Sequence, residues 1–178
     1  ARTLVGKLTE YNVPFYMKER LPDIFEHFIA KDMLAYLKLS QGNRDRGLFL
    51  RIANRPKRYI NHDALNEPQV NFADLYRYYH DKPWMENYLD EFQEDLMTLR
   101  DLPPFAAIDY IRRQVGYDAF LREYATYRGI KPDDWLLILD DIQESAHELL
   151  TLDDWLAYIE RYQSDLAENQ ERDRSNEN

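Results

Sequence analysis

The sequence has no cysteine, only five glycines among 178 residues, and no long apolar run. The lack of cysteine excludes disulfide bonds, thiolate metal sites and cysteine nucleophiles, and it is typical of cytoplasmic proteins. The scarcity of glycine disfavours a fold with many tight turns between strands. No apolar stretch approaches the roughly 20 residues that a membrane-spanning helix needs. Together these absences predict a helical, cytoplasmic protein without a membrane partner.

Basic residues are also few, because the sequence has 23 Lys and Arg residues against 33 Asp and Glu residues. The formal net charge is -10. Such a chain repels nucleic acid as a whole, so any contact with DNA or RNA must come from a local basic surface. The same acidity suits docking to a basic protein partner. Net charge therefore leaves both kinds of partner open.

Apolar residues recur at helical spacing along most of the chain, and this periodicity predicts an all-α fold. The clearest apolar stripes lie in residues 22–40, 84–100 and 135–150. A capping box formed by Thr151 and Asp154 predicts the start of a last helix that ends at Leu166. Shorter helices are predicted at residues 44–54, 62–66, 71–79, 104–114 and 118–128. The expected fold is a compact all-α domain of roughly eight or nine helices.

The two ends of the chain differ from this helical body. Residues 3–11 have the pattern of a short amphipathic helix, and "NVPFYM" (residues 12–17) has that of a brief strand without a nearby partner. The segment "AENQERDRSNEN" (residues 167–178) has almost no apolar residue and is predicted to be disordered. The chain also begins with Ala rather than Met, so we expect it to be cut from a longer protein.

Motifs typical of enzymes are incomplete in this sequence. "GNRDRGLF" (residues 42–49) has the glycine spacing of a phosphate-binding loop, but Leu48 and Phe49 occupy the positions that need Lys and Ser or Thr. "DDIQE" (residues 140–144) resembles an aspartate-rich magnesium motif, but no second cluster accompanies it, and a solvated helix face is the favoured interpretation. We therefore predict no catalytic residue, metal ligand or cofactor within this chain.

One basic segment, residues 44–58, interrupts the acidic chain. Its six cations are opposed only by Asp45; they are Arg44, Arg46, Arg51, Arg55, Lys57 and Arg58. Pro56 disfavours helical geometry at Arg55, so the preceding helix must end there, and Asn61 is a good N-cap for the next helix. A helix, basic turn and helix can bind phosphate through backbone N–H and guanidinium groups. The alternative is a solvated turn whose cations pair with the acidic surface.

The segment "FLRIANRPKRYINHDAL" (residues 49–65) resembles the pattern "hhRhhNxPxRGIGxxTh", with h apolar, of UvrD, PcrA and Rep-type superfamily 1A DNA helicases. The matching positions are Leu50, Arg51, Ile52, Asn54, Pro56, Arg58 and Ile60. Upstream, residues 4–39 resemble the stretch of that family that leads from the motor domain into the accessory subdomain called 2B. The resemblance covers the chain in order, with motif identity in residues 48–65.

The resemblance implies that the chain is the 2B subdomain of a bacterial, nucleoid-associated ATP-dependent DNA helicase. Residues 1–20, with their short strand, would be the edge of the 2A motor domain, residues 21–166 the helical 2B subdomain, and residues 167–178 the return towards 2A. ATP and magnesium would bind the parent outside this chain, so this chain alone would not be an enzyme. The implied partners are the motor domains of the same polypeptide and duplex DNA or a single-strand/duplex junction. The implied DNA-binding residues are Arg51, Arg55, Lys57, Arg58, Tyr59, Ile60, Asn61 and His62.

The sequence departs from the helicase pattern at its Gly-Ile-Gly turn, which is Tyr59-Ile60-Asn61 here. Glycine allows a positive φ and close approach of phosphate, whereas Asn tolerates left-handed geometry and Tyr seldom does. Either Asn61 alone preserves the turn, or phosphate binding relies more on Arg55, Lys57 and Arg58. The alternative function is an all-α protein-interaction domain whose acidic face docks a basic partner.

Overall fold

The structure is a computed structural model that describes residues 23–177. Within these residues it contains eight α-helices, a π-helical turn at Ile111–Val115 and two 3-10 turns at Ile24–Glu26 and His62–Leu65, without a β-sheet, so the predicted all-α fold is confirmed. The helices are α1 (Phe28–Ser40), α2 (Arg46–Ile52), α3 (Phe72–Tyr78), α4 (Pro83–Arg100), α5 (Pro104–Tyr110), α6 (Tyr117–Tyr127), α7 (Pro132–Ser145) and α8 (Leu152–Glu177).

Local sequence signals account for where several helices begin. The predicted capping box opens α8: the Asp154 N–H donates to Thr151 Oγ1 at 3.1 Å, and the Thr151 N–H donates to Asp154 Oδ2 at 3.3 Å. Asn61 caps the 3-10 turn at His62–Leu65 as predicted, since its side chain accepts from the Asp63 N–H. Pro104 occupies the first turn of α5. A backbone N–H has no partner within the helix at this position, so the lack of an N–H in proline costs no hydrogen bond.

Helix α1 is at the centre of the fold and packs against α2, α4, α5 and α7. Its inner face is apolar, and Ile29, Met33 and Tyr36 are fully buried. A helix surrounded on several sides must be apolar over most of its circumference, so the one carboxylate buried on it, that of Asp32, needs partners inside the protein. Asp32 accepts hydrogen bonds from Arg51 and Arg55 of the basic segment, and the Tyr36 hydroxyl accepts one from Arg58.

Helix α8 is longer than predicted. We expected it to end at Leu166, but it continues through Glu177, so the residues predicted to be disordered are helical up to that point. No Gly or Pro follows Leu166 to end the helix, and Glu168 precedes Arg172 by one turn, an order that stabilises helices. Neither α8 nor any other helix between residues 23 and 177 is long and apolar enough to cross a membrane.

The predictions for the N-terminal segment concern residues outside the part of the chain that the structure describes. They comprise the helix at residues 3–11, the strand at residues 12–17 and the domain edge at residues 1–20. The boundary between a helical domain at residues 21–166 and a return segment at residues 167–178 stays a prediction.

Candidate nucleic-acid interface

The basic turn, residues 53–61, is organised around the side chain of Asn54. Asn54 Oδ1 accepts from the backbone N–H groups of Arg58 (3.2 Å) and Ile60 (3.0 Å), and Asn54 Nδ2 donates to the Ile60 carbonyl at 2.8 Å. The Arg55–Pro56 peptide bond is cis. Since this turn has no helix or sheet to satisfy its backbone polar groups, one amide side chain supplies the missing partners and defines the shape of the turn.

Arg58 lies inside the protein, with only 5 % of its surface exposed. Its guanidinium donates to the carbonyls of Ile52 (2.8 Å) and Ala53 (3.1 Å) at the end of α2 and to the Tyr36 hydroxyl (2.8 Å), and it lies 4.1 Å from the centroid of the Phe92 ring. A cation at these last carbonyls stabilises the end of the helix. The predicted DNA contact by the Arg58 side chain is therefore corrected: the guanidinium binds backbone carbonyls in the interior instead of facing solvent.

Arg51 and Arg55 both bind one buried carboxylate. Asp32, fully buried on α1, accepts from Arg51 Nη1 at 3.1 Å, from Arg55 Nη1 at 2.9 Å and from the Tyr117 hydroxyl at 2.6 Å. Burial raises the pKa of the Asp32 carboxyl, and the Tyr117 hydrogen bond and the Arg55 charge offset part of that rise. Two guanidinium groups outnumber one carboxylate, so the cluster keeps a positive charge while each arginine remains about one-third exposed.

Tyr59 takes the left-handed backbone geometry of the turn, with a φ of 62°. Asn61 has extended geometry, with a φ of -78° and a ψ of 147°. The hypothesis that Asn61 alone preserves a positive φ is therefore wrong. A bulky side chain at positive φ is strained, and the bonds from Asn54 to the neighbouring residues stabilise the conformation from both sides.

The outer side of the turn carries three adjacent aromatic rings that we call the aromatic platform: Tyr59 and Trp84, which are exposed, and Tyr88, which is half-buried. Tyr59 and Trp84 are 50 % and 51 % exposed. The Lys57 ammonium lies 5.0 Å from the centroid of the Tyr59 ring. Sequence reasoning missed Trp84 as a site residue, because it stands on α4, far from the basic segment in the chain, and only the fold brings it to Tyr59.

The remaining predicted contacts divide between the interior and the surface. Ile60 is buried, and the Asn61 N–H donates to the Tyr79 hydroxyl at 2.7 Å. His62 is exposed at the start of a 3-10 turn of four residues. That turn is too short to bind phosphate through its first backbone N–H groups, as the N-terminus of a longer helix can. The structure thus leaves Lys57, Tyr59 and His62 exposed and buries Arg58 and Ile60.

The acidic motif "DDIQE" is not a solvated face along its whole length. Asp140 is exposed and pairs with Arg112 at 2.8 Å, but Asp141 is fully buried, and neither of its oxygens has a hydrogen-bond partner among the described residues. Burial raises the pKa of Asp141 to about 7, and the charge of Asp140 adds to the rise. Residues 23–177 contain no group of three His, Asp or Glu side chains that is placed to bind a metal ion.

Comparison of the chain with protein-family models, with curated proteins and with solved structures finds no match.

Proposed function

We propose that the chain is the 2B accessory subdomain of a superfamily 1A DNA helicase and that it contacts duplex DNA, or the junction of duplex and single strand, through the basic turn. In this proposal the subdomain regulates unwinding by its contact with DNA, while ATP hydrolysis takes place in motor domains of the same parent polypeptide. The observation that carries the proposal is that the polar residues shared with the helicase pattern form the hydrogen bonds and ion pairs that stabilise the basic turn.

Those shared polar residues stabilise the turn by bonding to its backbone, to the end of α2 and to Asp32. Asn54 bonds three backbone groups of the turn, Arg58 binds the end of α2, and Arg51 joins Arg55 on Asp32. Because the polar residues of the pattern all bond to this turn or beside it, they specify its shape. Residues between them can then face solvent. Lys57 and Tyr59 occupy such positions, so we assign the DNA contact to them.

The backbone of Tyr59 also supports the proposal. The helicase pattern has glycine at this position, and glycine is favoured where φ is positive. Tyr59 has a φ of 62° despite its side chain, so the backbone at this one position has the geometry that glycine favours. The substitution thus adds an aromatic ring to the contact surface without abolishing the turn.

Anisotropy titrations with a labelled duplex test the proposal through Lys57, the exposed cation of the turn. With about two phosphates neutralised by Lys57 and the Arg51–Arg55 cluster, we expect log affinity to fall against log salt with a slope of about -1.8. Lys57→Ala should weaken binding about tenfold at ~50 mM salt and make the slope shallower by about 0.9. Variants of Arg58 are unsuitable, because they remove a buried guanidinium and destabilise the fold.

Arg172→Ala is the matched control, since it removes one positive charge from an exposed position on α8. At ~1.5 Å per residue, Arg172 lies about 20 Å along the helix beyond Ile159, the last residue of α8 that belongs to the core. This variant should bind as the wild type does. Equal affinity and equal salt slope for wild type and Lys57→Ala would contradict a DNA contact at the turn.

A second candidate is a protein-interaction domain that docks a basic partner, favoured by an open groove of about 460 Å³ beside α6 and α7. Asp133 and Asp134 line it, and Leu137 is 38 % exposed there. Charge complementarity would then favour lysine-rich segments. Loss of lysine-rich peptide binding in Asp133→Lys, but not in Asp153→Lys on α8, is the expected result. A chain that binds such peptides and never binds DNA at low salt would replace the first candidate with the second.

A further inference from the structure

The three rings of the aromatic platform are arranged edge to face. The ring centroids of Tyr59 and Trp84 are 6.0 Å apart, those of Tyr59 and Tyr88 5.5 Å, and those of Trp84 and Tyr88 6.4 Å, with interplanar angles of 82°, 66° and 88°. Edge-to-face pairs at these distances are favourable, so the rings support one another. Trp84 and Tyr88 stand one turn apart on α4, which gives the surface a rigid base.

The exposure of Tyr59 and Trp84 distinguishes the platform from the buried aromatic residues of the core. Of the three tryptophans in the chain, Trp155 is fully buried and Trp135 is 9 % exposed, whereas Trp84 is 51 % exposed. Single exposed apolar side chains are ordinary, but adjacent ones that leave ring faces in water mark binding sites. The strained backbone of Tyr59 lies in the same place, and strain of this kind gathers at functional sites.

The charges around the platform favour an anionic ligand on one side. Lys57 Nζ lies over the Tyr59 ring, and the Arg51–Arg55 cluster adds positive charge behind the turn. Glu91 and Asp95 are the opposing acidic groups, since they line a pocket of about 190 Å³ together with Lys57 and Tyr88. The Lys57 ammonium therefore lies on the side of the platform formed by Tyr59. A ligand with an aromatic part and a phosphate matches the surface when its phosphate lies on that side.

We infer that the aromatic platform binds an unpaired nucleotide, with the base stacked on the exposed ring of Trp84, in edge-to-face contact with Tyr59, and with the phosphate beside Lys57. Every base has a flat face, so such stacking does not depend on sequence, but bases inside a duplex are already stacked on their neighbours. The surface thus selects DNA ends or junctions that carry unpaired nucleotides. This inference rests on the proposed function and names the DNA structure that it recognises.

Intrinsic fluorescence reports on the platform directly, because Trp84 is the exposed tryptophan. The probes are one duplex with blunt ends and the same duplex with an unpaired extension of about ten thymidines. We expect the extended duplex to quench Trp84 and to bind about tenfold more tightly than the blunt one, as expected for stacking of one or two bases. Trp84→Phe should keep the preference in anisotropy titrations and lose the quenching.

Two variants remove parts of the platform while sparing the fold. Tyr59→Gly deletes the ring and relieves the positive φ, and Trp84→Ala removes a half-exposed side chain. Both should lower the preference for the extended duplex at least fivefold. Tyr127→Ala is the control, since it deletes a tyrosine that is 85 % exposed on α6, outside the platform. Thermal unfolding of each variant verifies that the fold is intact.

The outcomes separate this inference from the proposed function. Equal binding of blunt and extended duplexes by the wild type, with dependence on Lys57 retained, would overturn the stacking site and leave the duplex contact standing. Loss of preference in Tyr127→Ala to the same extent would also overturn it. Binding of neither DNA would remove both proposals. Quenching of Trp84 by a proline-rich peptide, with no response to nucleic acid, would assign the platform to a protein partner and overturn the inference.

Discussion

Replacement of Asp141 by Asn should raise the free energy of unfolding by about 1–3 kcal/mol at about pH 8 and change it little at about pH 4. Asp141 is fully buried, and its two oxygens have no hydrogen-bond partner among the described residues. Burial, with the charge of Asp140 as a second cause, raises the pKa of Asp141 from 3.8 to about 7. An ionised carboxylate in this position is therefore costly, and a neutral amide avoids the charge.

The sign of the pH dependence follows from the raised pKa of Asp141. The folded chain binds this proton more tightly than the unfolded chain does, so protonation stabilises the fold. The stabilisation is complete below the unfolded pKa of about 3.8 and disappears as the pH rises through about 7. At ~1.4 kcal/mol per unit of pKa, the whole change is of the order of 4 kcal/mol. The amide still lacks hydrogen-bond partners, so the variant recovers only part of it.

Urea unfolding of wild type and Asp141→Asn at a series of pH values between about 4 and 8 measures the difference. Glu160→Gln is the control, because it alters an exposed carboxylate on α8 that has no part in the raised pKa of Asp141. All other carboxylates are present in both wild type and variant, so the difference between the two curves reports on Asp141. Parallel curves for wild type and Asp141→Asn would refute the assignment of a neutralised, buried acid.

Replacement of Asp32 by Asn should lower the free energy of unfolding by about 3–5 kcal/mol, the loss expected when one partner of a buried ionic cluster is removed. The Asp32 carboxylate accepts hydrogen bonds from Arg51, Arg55 and Tyr117. An amide has one accepting oxygen in place of two and carries no charge, so it leaves the guanidinium groups without their anion. Since Arg51 and Arg55 flank the start of the basic turn, we expect the turn to lose order first.

Urea unfolding measures this effect, and Tyr117→Phe calibrates it. That variant removes one hydrogen bond to Asp32 and leaves both ion pairs intact, so we expect a loss of about 1 kcal/mol. Hydrogen exchange at the amides of Arg58 and Ile60, which donate to Asn54, reports whether the turn opens. A loss below about 1 kcal/mol for Asp32→Asn would mean that the cluster contributes little to the fold.

Much of the fold was predictable from the sequence because the signals are local. Apolar residues at helical spacing predicted the all-α class, and the Thr151–Asp154 box and the Asn61 cap placed helix starts correctly. Such signals act between residues one turn apart, so they are present in the sequence itself. The predicted end of α8 is wrong, because a polar composition does not imply disorder in a segment that contains no helix-breaking residue.

The candidate site was predicted only in part, because burial depends on residues that are distant in the chain. The sequence by itself determined that cations gather around Pro56 and that a turn interrupts the helices there. Only the tertiary structure decided that Arg58 faces inward, that Asp32 binds Arg51 and Arg55, and that Trp84 joins Tyr59 at the surface. Desolvation and Coulomb energy depend on distance in space, which the order of residues in the sequence does not specify.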